Sequence, residues 1–356
     1  MQNIPFINFK KAYLGIILLL LITSVITFYC SIIFWSQDNP FDRIRVKVPE
    51  GASLTSISGL LKEKQIISNQ KTFTLAAKLL GQEKNIPAGV FTLWNASNNY
   101  GILRQLVNGS PTNKSITIIE GWTIAEVADE VSVALGLNGA TFSSLCHDSA
   151  FIKSLAIPAV SSLEGFLFPE TYNFLEGQNE KEIITRLVDQ YKNHFTREMM
   201  GIEERIGLSE LEIITMASII EGEAIYDEER PIIAAVYYNR LKKHMRLQAD
   251  PTIQYIIEGS PRRLLKRDLQ IRSPYNTYRI YGLPIGPINS PGRQSILAAL
   301  YPADVGYLYF VAKGDGYHTF SNTQAEHNRA KRKFQQVRRN AARERRMKMQ
   351  NKTDAI

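Results

Sequence analysis

Val46-Lys-Val-Pro-Glu-Gly-Ala-Ser-Leu-Thr-Ser-Ile-Ser58 reads as a short strand of alternating apolar residues, a turn at Glu50-Gly51 and a helix opened by Ser53 as N-cap. The pattern recurs at Ile116-Thr-Ile-Ile-Glu-Gly-Trp-Thr-Ile-Ala-Glu-Val-Ala128. Here Glu120-Gly121 forms the turn and Thr123 the cap, and Glu126 completes the spacing of a capping box. Two such units argue for a duplicated α+β element and are too few for a solenoid. The glycine of each turn is suited to a positive φ.

Working outward toward the N-terminus, no charged residue occurs over the 26 positions between Lys11 and Asp38, and Leu14 to Ile33 is almost continuously apolar. A membrane-crossing helix needs roughly 20 apolar residues, more than the apolar core of a secretory signal holds, and no small-x-small cleavage site follows. The alternative is a fully buried soluble helix. Lys10 and Lys11 precede the span and Asp38 and Asp42 follow it, so the positive-inside rule places the N-terminus in the cytoplasm and the body outside it. The segments expected are a cytoplasmic end (1–11), a transmembrane helix (12–36) and a short linker at Asn39 and Pro40. A small α+β module (43–112), a second domain (113–330) and a tail (331–356) follow.

In the second domain helices are expected near Lys181 to Met200, from Leu211 to Ala224 and from about Pro231 to Lys243. Beyond Leu247 the chain is rich in Pro, Gly, Tyr and Asn, as in Asp250-Pro251, Ser273-Pro-Tyr-Asn-Thr-Tyr278 and Gly282-Leu-Pro-Ile-Gly-Pro-Ile-Asn-Ser-Pro-Gly292. Such composition argues against regular structure and reads as the wall of a cleft. Tyr307 to Ala312 and Tyr317 to Phe320 flank Gly314-Asp-Gly as a β-hairpin.

The formal charge of +8, from 42 Lys and Arg against 34 Asp and Glu, is unevenly placed. Arg329 to Ile356 holds eleven basic and two acidic residues, so the rest of the chain is close to neutral. That distribution lacks the broad basic footprint of a nucleic-acid-binding domain, and a helical, solvated tail or a tether to an anionic surface accounts for it. Cys30 and Cys146 are the only cysteines and give no disulfide framework.

Among residues able to do chemistry, Glu221 stands out. Ser209 and Glu212 have capping-box spacing, and Leu211 to Ile220 is apolar around most of the helix, which must then be buried nearly all round. Glu221 ends that run, where desolvation would favour a protonated acid able to protonate a leaving sugar oxygen. The alternative is a solvated carboxylate just past a core helix. Glu164 and Glu170, within Leu163-Glu-Gly-Phe-Leu-Phe-Pro-Glu-Thr-Tyr172, sit among aromatics that suit either sugar faces or a packed turn. Glu223, Glu228 and Glu229 read as exposed carboxylates or partners of the next helix dipole. The five histidines show no paired metal-ligand spacing, and His318 and His327 read as hairpin and loop histidines. No nucleophile elbow, phosphate loop or dinucleotide fingerprint is present.

Seven motifs in order resemble the YceG-like family. They are Leu163 to Tyr172, Ala217-Ser-Ile-Ile-Glu-Gly-Glu-Ala224, Glu229 to Leu241, Leu247-Gln-Ala-Asp-Pro-Thr-Ile-Gln-Tyr255, Tyr275-Asn-Thr-Tyr278, Gly282 to Ile288, and His318 to Ser321 with Glu326-His-Asn328. The first strand-turn-helix also resembles the opening of a LysM carbohydrate-binding module. The family resemblance implies a membrane-anchored, periplasmic lytic transglycosylase that cuts glycan strands of peptidoglycan, needs no cofactor or metal and works beside peptidoglycan synthases of the inner membrane. It implies Glu221 as the catalytic acid, with Gly222 standing where a Lys is common. Gln248, Asp250, Asn276 and Tyr278, with Glu164 and Glu170, are the expected glycan contacts. A non-catalytic wall-binding scaffold is the competing reading. A pyridoxal-phosphate lyase would need cytoplasmic placement and a Schiff-base lysine, neither of which the sequence suggests.

Overall fold

A computed structural model describes residues 9–36, 42–94, 96, 98–109, 112–157, 160–259, 262–336 and 339. The expected cytoplasmic end, the linker at Asn39 and Pro40 and most of the basic tail lie outside the described residues, apart from the first residues of the opening helix and the first turns of the tail. The elements run in the order α1 (Phe9–Ile33), β1 (Arg43–Val48), α2 (Leu54–Glu63), α3 (Gln70–Leu79), β2 (Gly89–Trp94), α4 (Asn99–Asn108) and β3 (Asn113–Thr117). They continue with α5 (Ile124–Leu135), α6 (Gly139–Leu145), α7 (Ser149–Ser154), β4 (Thr171–Leu175), α8 (Glu180–Met199), α9 (Ile202–Ile206) and α10 (Glu210–Glu223). The last are α11 (Arg230–Lys242), α12 (Asp250–Ile256), α13 (Arg293–Leu300), β5 (Tyr309–Ala312) and β6 (His318–Ser321). The class is mixed α+β, in two compact units: residues 1–114 with 173–178, and residues 115–172 with 179–356.

In the first unit α1 is long and apolar enough to cross a membrane, and most of its large side chains are exposed. The strand β1 pairs antiparallel with β2, from Arg43 opposite Trp94 to Val48 opposite Gly89. Alternation puts Val46 and Val48 inward, where they meet Ile57, Leu61, Phe73, Phe91 and Ile102. Ser53 caps α2 through the Ser56 N–H, and Gly51 takes φ +68° at the turn before it.

In the second unit Thr123 and Glu126 close a reciprocal capping box on α5, with Gly121 at φ +82°. The core surrounds α10, whose residues Ile213 to Ile220 are all buried. Tyr191, Phe195 and Phe166 pack from one side and Ile233, Tyr237, Ile296 and Ala299 from the other. Each fully buried large aliphatic contributes about 1.5–3 kcal/mol, so this helix is held all round and its end is a fixed platform. One expectation changes here. Asp250-Pro251 opens a helix, because a proline near the first helical position lacks only an N–H that would have no partner. As expected, α10 runs on through Gly222. The helix runs to Glu223 with Ala224 as C-cap, and a Cβ at Gly222 would lie 2.6 Å from the Pro251 side chain. The hairpin of β5 and β6 forms as expected, and the chain after it is helical over 324–336.

Candidate active site

The last turn of α10 carries Glu221, whose side chain is 8% exposed. Its Oε2 accepts the Gly292 N–H at 2.9 Å and lies 3.2 Å from Nη1 of Arg230. Arg230, at the start of α11, is equally buried and is fixed by Asp227 at 2.9 Å and by the Ser295 hydroxyl. Desolvation alone, expected from the apolar run, is therefore not the environment of Glu221: a guanidinium and an oriented amide face it. The amide comes from a segment 71 residues on and the guanidinium from the start of the next helix, so the pattern of α10 by itself did not reveal them.

A second carboxyl stands beside this group. Any Cβ on Gly292 would fall 2.0 Å from Oε1 of Glu120, and one on Gly121 would lie 3.7 Å from Cγ of Glu221. Burial, and then the charge of Glu221, push the Glu120 carboxyl up, with Arg230 opposing them. The turn of Glu120 is pinned by Gly121 N–H to Ser290 O at 2.8 Å and Ser290 N–H to Trp122 O at 2.7 Å. The loop in turn is tied to α10, since Ser218 receives Ile288 N–H at its hydroxyl and Asn289 Nδ2 at its carbonyl. Glu120 was read from sequence only as a turn residue. The signal that could have marked it is the Glu-Gly pair after an apolar strand, which holds an acid on a rigid turn.

Next to this cluster lies a cavity of about 1190 Å³ lined by Gly121, Glu164, Gly222, Glu223, Tyr255 and Asn289, among others. Glu164 is buried and accepts the Ile124 N–H at 3.1 Å, with the Tyr255 hydroxyl at 3.5 Å. Burial pushes its carboxyl up to about 8, against the lowering effect of the Ile124 N–H and the Tyr255 hydroxyl. Burial likewise raises Glu223 to about 7, while Tyr237 donates to it at 2.8 Å. Asn289 Oδ1 and Ser290 Oγ are buried with no partner, and Asn289 lines the cavity. An orphaned buried acceptor is costly and marks a place for a ligand or water.

A second cavity of about 510 Å³ is lined by Gln248, Tyr278, Arg240 and Lys331 and shares Glu223 and Asp250 with the first. Gln248 holds φ +50°, a strained value for a residue with a side chain. Tyr278 donates its hydroxyl to Asp250. These placements bring Glu164, Gln248, Asp250 and Tyr278 to cavity walls.

Two other expected contacts sit elsewhere. Asn276 is fully buried, its amide donating to Leu269 O and Ile271 O and its carbonyl accepting the Tyr278 N–H. It shapes the loop and has no surface to offer a sugar. Glu170 is exposed, bonds Gln190 and lines neither cavity. Glu223 and Glu229 were expected to be exposed or to partner the next helix dipole; Glu223 is partly buried, and Glu229 sits at the N-cap position of α11 but is buried, accepting His318 N–H at 3.0 Å and Nδ1 at 2.8 Å. His318 is thereby the satisfied hairpin histidine that the sequence suggested. Among the described residues no three His, Cys, Asp or Glu side chains group as a metal site.

The model of the YceG-like family matches residues 46–333. The chain is 33% identical over 305 residues to an endolytic murein transglycosylase of Bacillus subtilis, covering 82% of this chain and 84% of that one. It is 27% identical over 317 residues to an endolytic murein transglycosylase of Streptococcus pneumoniae, covering 80% of this chain and 57% of that longer one. A crystal structure of a putative yceG-like protein from Listeria monocytogenes matches with a TM-score of 0.56 and 34% identity, over 81% of this chain and 98% of that one.

Proposed function

The chain belongs to the YceG-like family, and on that footing we propose that it is an endolytic murein transglycosylase. The bond cut is the β-1,4 link between N-acetylmuramic acid and N-acetylglucosamine inside a peptidoglycan strand, and the product carries a 1,6-anhydro end. The observation that supports this reading best is the end of α10, where Glu221 is held by Arg230 and the Gly292 N–H beside the larger cavity.

Both holding contacts use Oε2, which leaves Oε1 to exchange the proton. Glu221 protonates the glycosidic oxygen, the C1–O bond breaks, the muramic C6 hydroxyl attacks C1, and its proton returns to Oε1. Because the nucleophile belongs to the substrate, no water is activated and no second carboxylate has to act as base. The Glu164 carboxyl, raised to about 8, keeps its proton near neutral pH and offers an O–H donor to the strand without adding charge, and Glu223, raised to about 7, is about half protonated there. Asn289 Oδ1 accepts from a sugar amide or hydroxyl, and Gln248, Asp250 and Tyr278 hold the strand in the second cavity. The two cavities together are the cleft of an enzyme that cuts within strands, in a catalytic domain spanning 113–330.

Residues 43–112 supply a further glycan contact at the turn around Gly51 and Ser53, where a cavity of about 550 Å³ is lined by that turn together with Lys78, Glu83 and Lys84. The span at 12–36 places the N-terminus in the cytoplasm and the rest in the periplasm, since lysines precede it and aspartates follow. An enzyme so tethered meets strands where inner-membrane synthases extrude them. The test is Glu221→Gln: the folded variant should release no anhydro-ended fragments from uncrosslinked glycan by mass spectrometry. Release at the wild-type rate would refute the assignment and favour a binding scaffold.

A further inference from the structure

A helix leaves its last four carbonyls without internal partners. At the end of α1 the folded residues of the same unit supply the donors. Asn99, fully buried, donates Nδ2 to Ile32 O at 3.0 Å and its backbone N–H to Trp35 O at 3.3 Å. Ser36 forms an antiparallel bridge with Asn98, and the Ser68 hydroxyl reaches Ser36 O at 3.3 Å. Ile32 is buried by these contacts. The apolar helix is thus joined rigidly to the module that follows it.

Around this joint the surface has a particular composition. Phe34 and Tyr100 pack with ring centroids 5.9 Å apart, and Phe34, Trp35, Trp94 and Tyr100 are 41–58% exposed. Arg43 lies opposite Trp94 in the β1–β2 register and holds its guanidinium 5.1 Å from the indole centroid. Trp94 is four residues from Asn98, so its Cα lies within about 14 Å of the joint. The polar layer of a bilayer extends roughly 5–8 Å beyond the hydrocarbon on each side. Exposed Trp, Tyr and Phe beside an Arg are the residues that favour that layer, with the rings among the glycerol and acyl ends and the guanidinium at the phosphates.

We propose that this aromatic face, carried by Trp35, Trp94 and Tyr100 with Arg43, rests in the headgroup layer of the bilayer that α1 crosses. The module at 43–112 is then seated on the membrane and does not swing on a tether. The inference depends on the reading of α1 as a span, and the experiment separates the two. Full-length protein is placed in nanodiscs of phosphatidylcholine and phosphatidylglycerol brominated either near the headgroup end or near the methyl end of the acyl chain. W35F/W122F leaves Trp94 as sole fluorophore, and W94F/W122F leaves Trp35. Trp94 emission should fall roughly twofold with shallow bromine and little with deep bromine, as for a ring at the interface. Quenching of Trp35 with none of Trp94 would overturn the seated face and leave the span intact. Loss of quenching at both would overturn both. A Trp94 response to soluble glycan fragments without bromine quenching would make the face a sugar platform and overturn the proposal.

Discussion

Glu164→Gln tests the buried carboxyl at the start of α5. Glu164 is 5% exposed, and burial carries it from 4.5 to about 8. The folded protein therefore keeps a proton that the unfolded chain releases between those values. Stability from this group is complete below the unfolded value and is lost as pH rises through about 8. The shift corresponds to roughly 5 kcal/mol in all, with about half of it falling between about pH 6 and about pH 9. Glutamine retains an acceptor for the Ile124 N–H and cannot ionise, so the variant should gain on the wild type by that amount over the interval. With a slope of about 2–3 kcal/mol per molar urea, the difference in midpoints should change by about 1 M. The assay is urea titration of the full-length protein in detergent at both pH values. Fluorescence of Trp122, in the second unit, reports unfolding, with Trp35 and Trp94 replaced by Phe. Parallel pH dependence in the two proteins would refute the argument.

Three other substitutions probe the site. Gly292→Ala puts a Cβ 2.0 Å from Glu120 Oε1 and forces the Glu120 carboxyl away from its place beside Glu221; turnover should fall up to about 10²-fold with the circular dichroism spectrum unchanged. A kcat within about threefold of wild type would show that the placement of Glu120 does not matter. Asn276→Ala removes the amide that ties Leu269, Ile271 and Tyr278 together. It should cost about 2–4 kcal/mol, seen as a lower thermal midpoint, with KM unchanged well below that midpoint; a raised KM at full stability would make Asn276 a sugar contact after all. Gln248→Gly relieves φ +50° and should stabilise the fold by about 1 kcal/mol while weakening glycan binding, a combination that a purely structural glutamine would not give.

Much of the architecture was legible because it depends on neighbours in sequence. The capping residues Ser53, Thr123 and Ser209, the positive-φ glycines 51 and 121 and the apolar girth of α10 are local properties, and each sits where the pattern placed it. Asp250-Pro251 misled because composition counts a proline without its position in a helix. Asn276 misled for a related reason: a polar residue in a Pro- and Tyr-rich loop suggests a ligand contact, yet its amide is consumed by three backbone groups of that same loop.

The surroundings of Glu221 were not legible, because Glu120, Arg230 and Gly292 converge on it from three separate segments. So do the two cavities, whose walls combine residues from before and after α10. The sequence by itself determined the apolar span, the α+β class, the buried helix and the carboxyl at its end, since these follow from periodicity, capping and composition. Only the tertiary structure decided which cation, which amide and which second carboxyl meet that residue. Electrostatic environment depends on distances through space, and those are set by packing between segments far apart in the chain.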